Sequence, residues 1–160
     1  MSATREQIFS ALFDLTNNVT WDVGTILVPD VRTFLTRTRR IELFSEVQDA
    51  AQPWIGQAEH RDVYAQKSNL PYKREFHAQW MVYHQEGKQP GAVPTIWDNL
   101  IVDALEAALA PKIADPGYFD KRNTLSGLVY HCFIEGEVFK DPGDIDNQAL
   151  IVIPIKLLVP

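Results

Sequence analysis

Cysteine is almost absent from this sequence, with Cys132 alone among 160 residues. No disulfide can form within such a chain, and a thiolate metal centre lacks its ligands, so the cell interior is the expected compartment. Glycine-rich phosphate cradles of the Walker or dinucleotide-binding kind are missing, and Ser126 sits in Thr-Leu-Ser-Gly without the first glycine of a nucleophile elbow. No unbroken apolar run reaches ~18 residues and no basic, apolar leader opens the sequence, so neither a membrane span nor a signal peptide is expected. Internal repeats and low-complexity tracts are lacking as well.

Positive charge is scarce. Residues 1–80 carry 9 basic against 10 acidic side chains and residues 81–160 carry 6 against 11, for a formal charge of −6. An acidic second half argues against general affinity for nucleic acid, whose phosphates require clustered Lys and Arg. What remains is ordinary for one globular domain, at 46% hydrophobic and 22% charged residues.

Thr4-Arg-Glu-Gln7 has capping-box form and precedes a helical stripe of Ile8, Phe9, Leu12 and Phe13 that should end near Asn17-Asn18. Residues 19–33 fit neither the helical nor the strand period and read as an irregular excursion, with a short strand possible at Thr25–Val28. Phe34–Glu42 alternates as an exposed or edge strand, with Arg37 and Arg39 on one face. Trp54–His60 is a further strand introduced by Pro53, and a long polar loop spans 61–73. Arg74–His84 is a firmer strand, with Phe76, Ala78, Trp80 and Val82 on one side.

The best helix follows Pro94, where Thr95 and Asp98 suit a capping box and Ile96 to Leu109 keep an apolar face until Pro111 stops it. Two closing strands are expected, Leu128–Lys140 and the almost wholly apolar Ala149–Val159, around the turn that holds Asp141, Asp144 and Asp146. Pro154 cannot donate to a ladder, so the second of them is expected at an edge or with a bulge. Its apolar side chains need cover from the chain's own core or from a neighbouring subunit. The expected class is α+β in one domain spanning 1–160: a mixed, mainly antiparallel sheet with two principal helices on one face.

Conventional chemistry finds no footing. His77 and His84 are seven residues apart on one strand and point to opposite faces, and His60 and His131 have no ligand pattern near them. Cys132 and His131 are adjacent and diverge, so Cys132 reads as a small core residue. An EF-hand loop counted from Asp141 would need Glu at the twelfth position, where Val152 stands. No catalytic residue, metal or cofactor is expected. The basic concentration at Arg37, Arg39 and Arg40 suits subunit contact better than nucleic acid, because no aromatic residues for base stacking interleave it.

The segments Arg5–Phe13, Leu105–Pro111, Thr124–Glu137 and Gln148–Lys156 together resemble the tail terminator family of long-tailed bacteriophages, also called minor tail protein U or tail completion protein. The resemblance covers about a third of the chain in the family's order; residues 19–33 look like an insertion, and the 61–73 loop is longer than usual. It implies a structural virion protein, assembled in the host cytoplasm, that forms a homo-oligomeric ring, a hexamer, on the head-proximal end of the tail tube. The ring stops tube growth and offers a surface to connector or neck proteins, while DNA passes through without specific binding. The interface residues expected on this reading are Arg37, Arg39, Arg40, Asp141, Asp144, Asp146, Ile153 and Ile155, and charge reversal at Arg37 and Arg39 should spare the fold but lower assembly. A neck or head-completion protein is the near alternative, and a small ligand-binding or hydrolase domain the distant one.

Overall fold

The computed structural model describes residues 3–64, 69–88 and 90–160. Its elements run α1 (Arg5–Asp14), β1 (Thr20–Asp22), β2 (Val31–Thr33), β3 (Thr36–Thr38), β4 (Trp54–Tyr64), β5 (Arg74–His84), α2 (Pro94–Leu109), β6 (His131–Ile134), β7 (Phe139–Asp141) and β8 (Ala149–Val159). A six-stranded sheet has the order β3-β4-β5-β8-β6, with β7 also pairing β8, and a separate hairpin joins β1 to β2. Among the described residues only β3 and β4 pair in parallel; the other pairings are antiparallel. The class is α+β, with α1 and α2 packed on one face of the sheet.

The opening helix follows from its cap. Thr4 Oγ1 accepts the Gln7 amide at 3.2 Å, and the Gln7 side chain accepts the Thr4 amide at 2.9 Å. Ile8, Phe9 and Leu12 enter the core, where Phe9 stacks on Phe76 at 5.5 Å between ring centroids. The second helix differs from expectation at its start: Pro94 occupies the first turn, Val93 is an N-cap without a side-chain bond, and Asp98 is buried rather than capping. Proline at this position supplies the helical φ and lacks only an N–H that would be unpaired anyway. Trp97, Ile101, Leu105 and Leu109 form the buried stripe.

Residues 25–28 are a turn and not a strand. Asp22 Oδ1 accepts the amides of Gly24 and Asp30 at 2.8 and 2.9 Å, and Thr25 Oγ1 accepts that of Val28 at 3.0 Å, so local acceptors bend the chain and leave pairing to the flanking β1 and β2. The strand expected over Phe34–Glu42 is only Thr36–Thr38, although it does lie at an edge. Its parallel ladder with β4 stops at Gly56, beyond which Arg39 turns to carboxylates on α1 and β4. Conversely, β4 runs past His60 to Tyr64 with a bulge between Glu59 and Arg61. Arg5 holds that extension by bonds to Asp62 at 2.6 Å and Tyr64 at 2.7 Å. The 61–73 loop is correspondingly shorter, and its residues 65–68 lie outside the described residues.

The strand expected over Leu128–Lys140 is divided into β6 and β7 at Gly136, where φ is +107°. This division explains Pro154. Instead of lying at an edge, β8 is interior, pairing β5 along its whole length and β6 and β7 on the other side. The gap between β6 and β7 falls opposite Pro154, whose carbonyl accepts the Glu135 amide at 3.2 Å while no N–H is demanded of it. Ile151, Ile153, Ile155 and Leu157 are therefore covered by the chain's own core, at 2% exposure or less. Burying each such side chain contributes roughly 1.5–3 kcal/mol. A second, smaller cluster of Val47, Trp54 and Tyr83 covers one end of the opposite sheet face.

Candidate assembly surfaces

The arginine segment turns inward. Arg39 donates to Glu6 on α1 at 2.6 Å and also pairs with Glu59 on β4. These contacts raise its own pKa and hold the Glu6 carboxyl below the usual range. Arg37 donates to Thr16 Oγ1 at 2.9 Å and lies over the Phe13 ring, 4.9 Å from its centroid. Both side chains clamp α1 to the sheet edge, so charge reversal at Arg39 strikes a structural tie. Arg40 alone reaches solvent freely, at 71% side-chain exposure, with Glu42 at 3.1 Å.

The acidic turn is organised by its own backbone. Asp141 Oδ1 accepts the Gly143 amide at 3.0 Å and Asp146 Oδ1 the Gln148 amide at 3.1 Å; Asp144 is exposed, beside an Ile145 that is 99% exposed. Ile153 and Ile155 are placed differently from the other expected interface residues. They sit inside the subunit beneath the helices and present no surface to a second chain.

On the sheet face opposite the helices lies an open depression of about 720 Å³, lined by Arg61, His77, Gln79, Pro154 and Lys156 among others. Several of its charges are paired: Lys156 reaches Glu135 at 2.8 Å and Glu75 at 3.2 Å, and His77 lies 3.7 Å from Glu75. The Glu135 hydrogen bond raises the Lys156 pKa against the burial penalty, whereas burial, aided by Arg61 and Lys156, lowers that of His77. His60 also lines it, as an imidazole without a second titratable side chain paired to it among the described residues. Cys132 is wholly buried and its thiol pKa is pushed up by desolvation, which makes it inert as a nucleophile. Among the described residues no group of three or more His, Cys, Asp or Glu side chains could hold a metal ion, and no helix is long and apolar enough to cross a membrane.

No family model and no curated protein matches this chain. Its surface therefore has to be read from its own chemistry. Apolar side chains stand out from separate loops: Ile26 is 100% exposed, Leu27 92%, Ile113 81% and Phe119 93%. The first two lie in Thr25–Val28, where the sequence suggested a short strand; three consecutive aliphatics between Gly24 and Pro29 are a signal of an exposed tip when no period explains them.

Two further features escaped the sequence. His84 and Asp98 meet in the core at 2.5 Å, which no local pattern announces. Asp115 gathers the loop after α2, accepting from Gly117, the Thr124 amide, the Thr124 hydroxyl and Ser126 at 2.8, 2.9, 2.7 and 3.3 Å. Burial opposes ionisation of Asp115, but those hydrogen bonds outweigh it and lower its pKa. They hold Leu125 and Ser126 at φ of +49° and +60°, a region that side-chain-bearing residues rarely adopt.

Proposed function

We propose that this chain is a structural assembly protein of the tail-terminator type, six copies of which close a ring on the head-proximal end of a phage tail tube, stop its growth and offer a joining surface to the head. The observation that supports this reading is the pattern of exposure. Large apolar side chains project from separate loops at 81–100% exposure, while the depression of about 720 Å³ is open and its Lys156, Glu75 and Glu135 are paired with one another. The contiguous apolar tip of Ile26, Leu27 and Val28 suits contact with another protein, and an open depression suits turnover of a small molecule less well. A net charge of −6 also suits a channel through which DNA must pass without adhering. Ring closure lets six modest contacts act together through effective concentration.

The test is a tube-growth measurement. Purified tail tube protein from the same source is polymerised with and without this chain, and tube lengths and ends are read by negative-stain electron microscopy. Shortened tubes with added density at one end support the reading. Unchanged lengths with bare ends overturn it, and binding to isolated connector rings instead would make the chain a neck protein.

A further inference from the structure

We propose that the tip of the β1–β2 hairpin is a hook that seats in a groove on a second copy of this chain. Ile26 is 100% exposed, and Leu27 and Val28 follow at 92% and 70%. The turn carrying them is built in advance of any partner. Asp22 Oδ1 binds the amides of Gly24 and Asp30, Thr25 Oγ1 binds that of Val28, and the Thr25 amide returns to the Val28 carbonyl at 2.9 Å. A Cβ at Gly24 would collide with that carbonyl, so glycine is what lets the turn close so tightly. The base is equally fixed, because Trp21 is 4% exposed and packs against Phe34 and Trp97 at 5.0 and 5.9 Å. The backbone that carries these three aliphatic side chains is ordered beforehand, so docking the tip costs little backbone entropy.

The chain itself offers the receiving surface. Between the C-terminal end of α1 and the last turns of α2 runs a groove of about 430 Å³, lined by Leu15, Val19, Ala107 and Ala108 together with the polar Asn18 and Thr20. Its rim carries one charge of each sign, Asp14 and Lys112. The stem of the hook also carries one of each, Asp30 and Arg32, paired at 2.9 Å and about half exposed. Apolar tip meets the apolar part of that lining, and the flanking charges can be met by their opposites. Hook and groove are different surfaces, so the contact is head-to-tail and each subunit can donate once and receive once, which closes a ring when the rotation allows. The inference deepens the ring reading, on which the number of copies rests; the contact itself rests on the hook and the groove.

The experiment is light scattering on the purified full chain over a range of concentration, with two variants. One combines Ile26→Ser, Leu27→Ser and Val28→Ser; the other is Ala107→Arg on the exposed side of α2. Circular dichroism and thermal midpoints establish that both variants fold. The wild type is expected to associate, each variant alone to need at least tenfold more protein to do so, and an equimolar mixture of the two to stop at a heterodimer, since one intact hook and one intact groove remain. A disulfide between Leu27→Cys in one tagged copy and Ala107→Cys in another gives a second readout, with buried Cys132 unable to compete. A hook variant that associates like the wild type overturns the proposal, as does an associating pair that never cross-links. A wild type that stays monomeric throughout also overturns it, and leaves tube capping to be decided by tube growth. Unchanged tube growth with normal self-association would reject tube capping and leave the hook standing.

Discussion

His84 Nε2 and Asp98 Oδ1 stand 2.5 Å apart, each side chain 1% exposed, and this pair joins the end of β5 to the first turns of α2. Trp97 extends the connection, since its ring lies 5.9 Å from the imidazole and Arg32 sits over it at 5.6 Å. The second carboxylate oxygen of Asp98 is buried without a partner among the described residues, which leaves His84 as the side chain that holds this carboxylate. Asp98→Ala leaves a buried imidazole nitrogen without its partner and should cost about 1–3 kcal/mol in urea unfolding. His84→Met combined with Asp98→Leu removes both polar groups and should cost less than the single change. A double variant that is less stable than Asp98→Ala would refute the pairing as the cause.

Arg39 and Arg40 are neighbours with opposite roles. Arg39→Glu sets like charges against Glu6 and Glu59, loosening α1 and lowering the thermal midpoint. Arg40→Glu, at an exposed position, should change stability by no more than about 0.5 kcal/mol. Equal midpoints for the two variants would show that Arg39 does not clamp the helix.

Asp115→Ala removes the acceptor of several hydrogen bonds and should destabilise the chain by roughly 1–3 kcal/mol. Faster amide exchange at Gly117, Thr124 and Ser126 is the local signature. Exchange confined to other segments would contradict this account.

Acid should weaken the fold before its carboxylates titrate. His77 and His131 are both held below the ordinary value of 6.5, chiefly by burial, so the unfolded chain binds protons more readily than the folded one. Their contribution is fully present above pH 6.5 and declines as pH falls below it. Denaturation midpoints across this range, repeated with His77→Gln and His131→Gln, measure it; a flat profile in the parent chain would disprove it.

Cys132 is expected to resist a thiol reagent in the native state and to react at once in denaturant. Rapid native labelling would place it at the surface.

Much of this fold was legible in residue order because helices and half-buried strands repeat with short periods. The Thr4–Gln7 cap, the alternation of Phe76, Ala78, Trp80 and Val82, and the divergence of His77 from His84 all came from spacing alone. The failures have both local and distant causes. Residues 25–28 lack strand structure because Asp22 and Thr25 supply local acceptors, and Asp98 leaves the cap role because His84 waits across the core. The arginines, expected to face a neighbour, include two that are occupied by Thr16, Phe13 and glutamates distant in sequence.

By itself, the sequence determined the class, the two helices, the long strands and the want of metal-ligand or nucleophile spacing, since each depends on neighbours within a few positions. Only the tertiary structure decided that β8 is interior and not an edge, because that turns on a break at Gly136 meeting Pro154 across the ladder. It also decided which apolar residues remain outside. Ile153 and Ile26 are chemically the same side chain, one wholly buried and the other wholly exposed. The difference is set by which distant strands and helices close over each, a matter of long-range contact that local order does not encode.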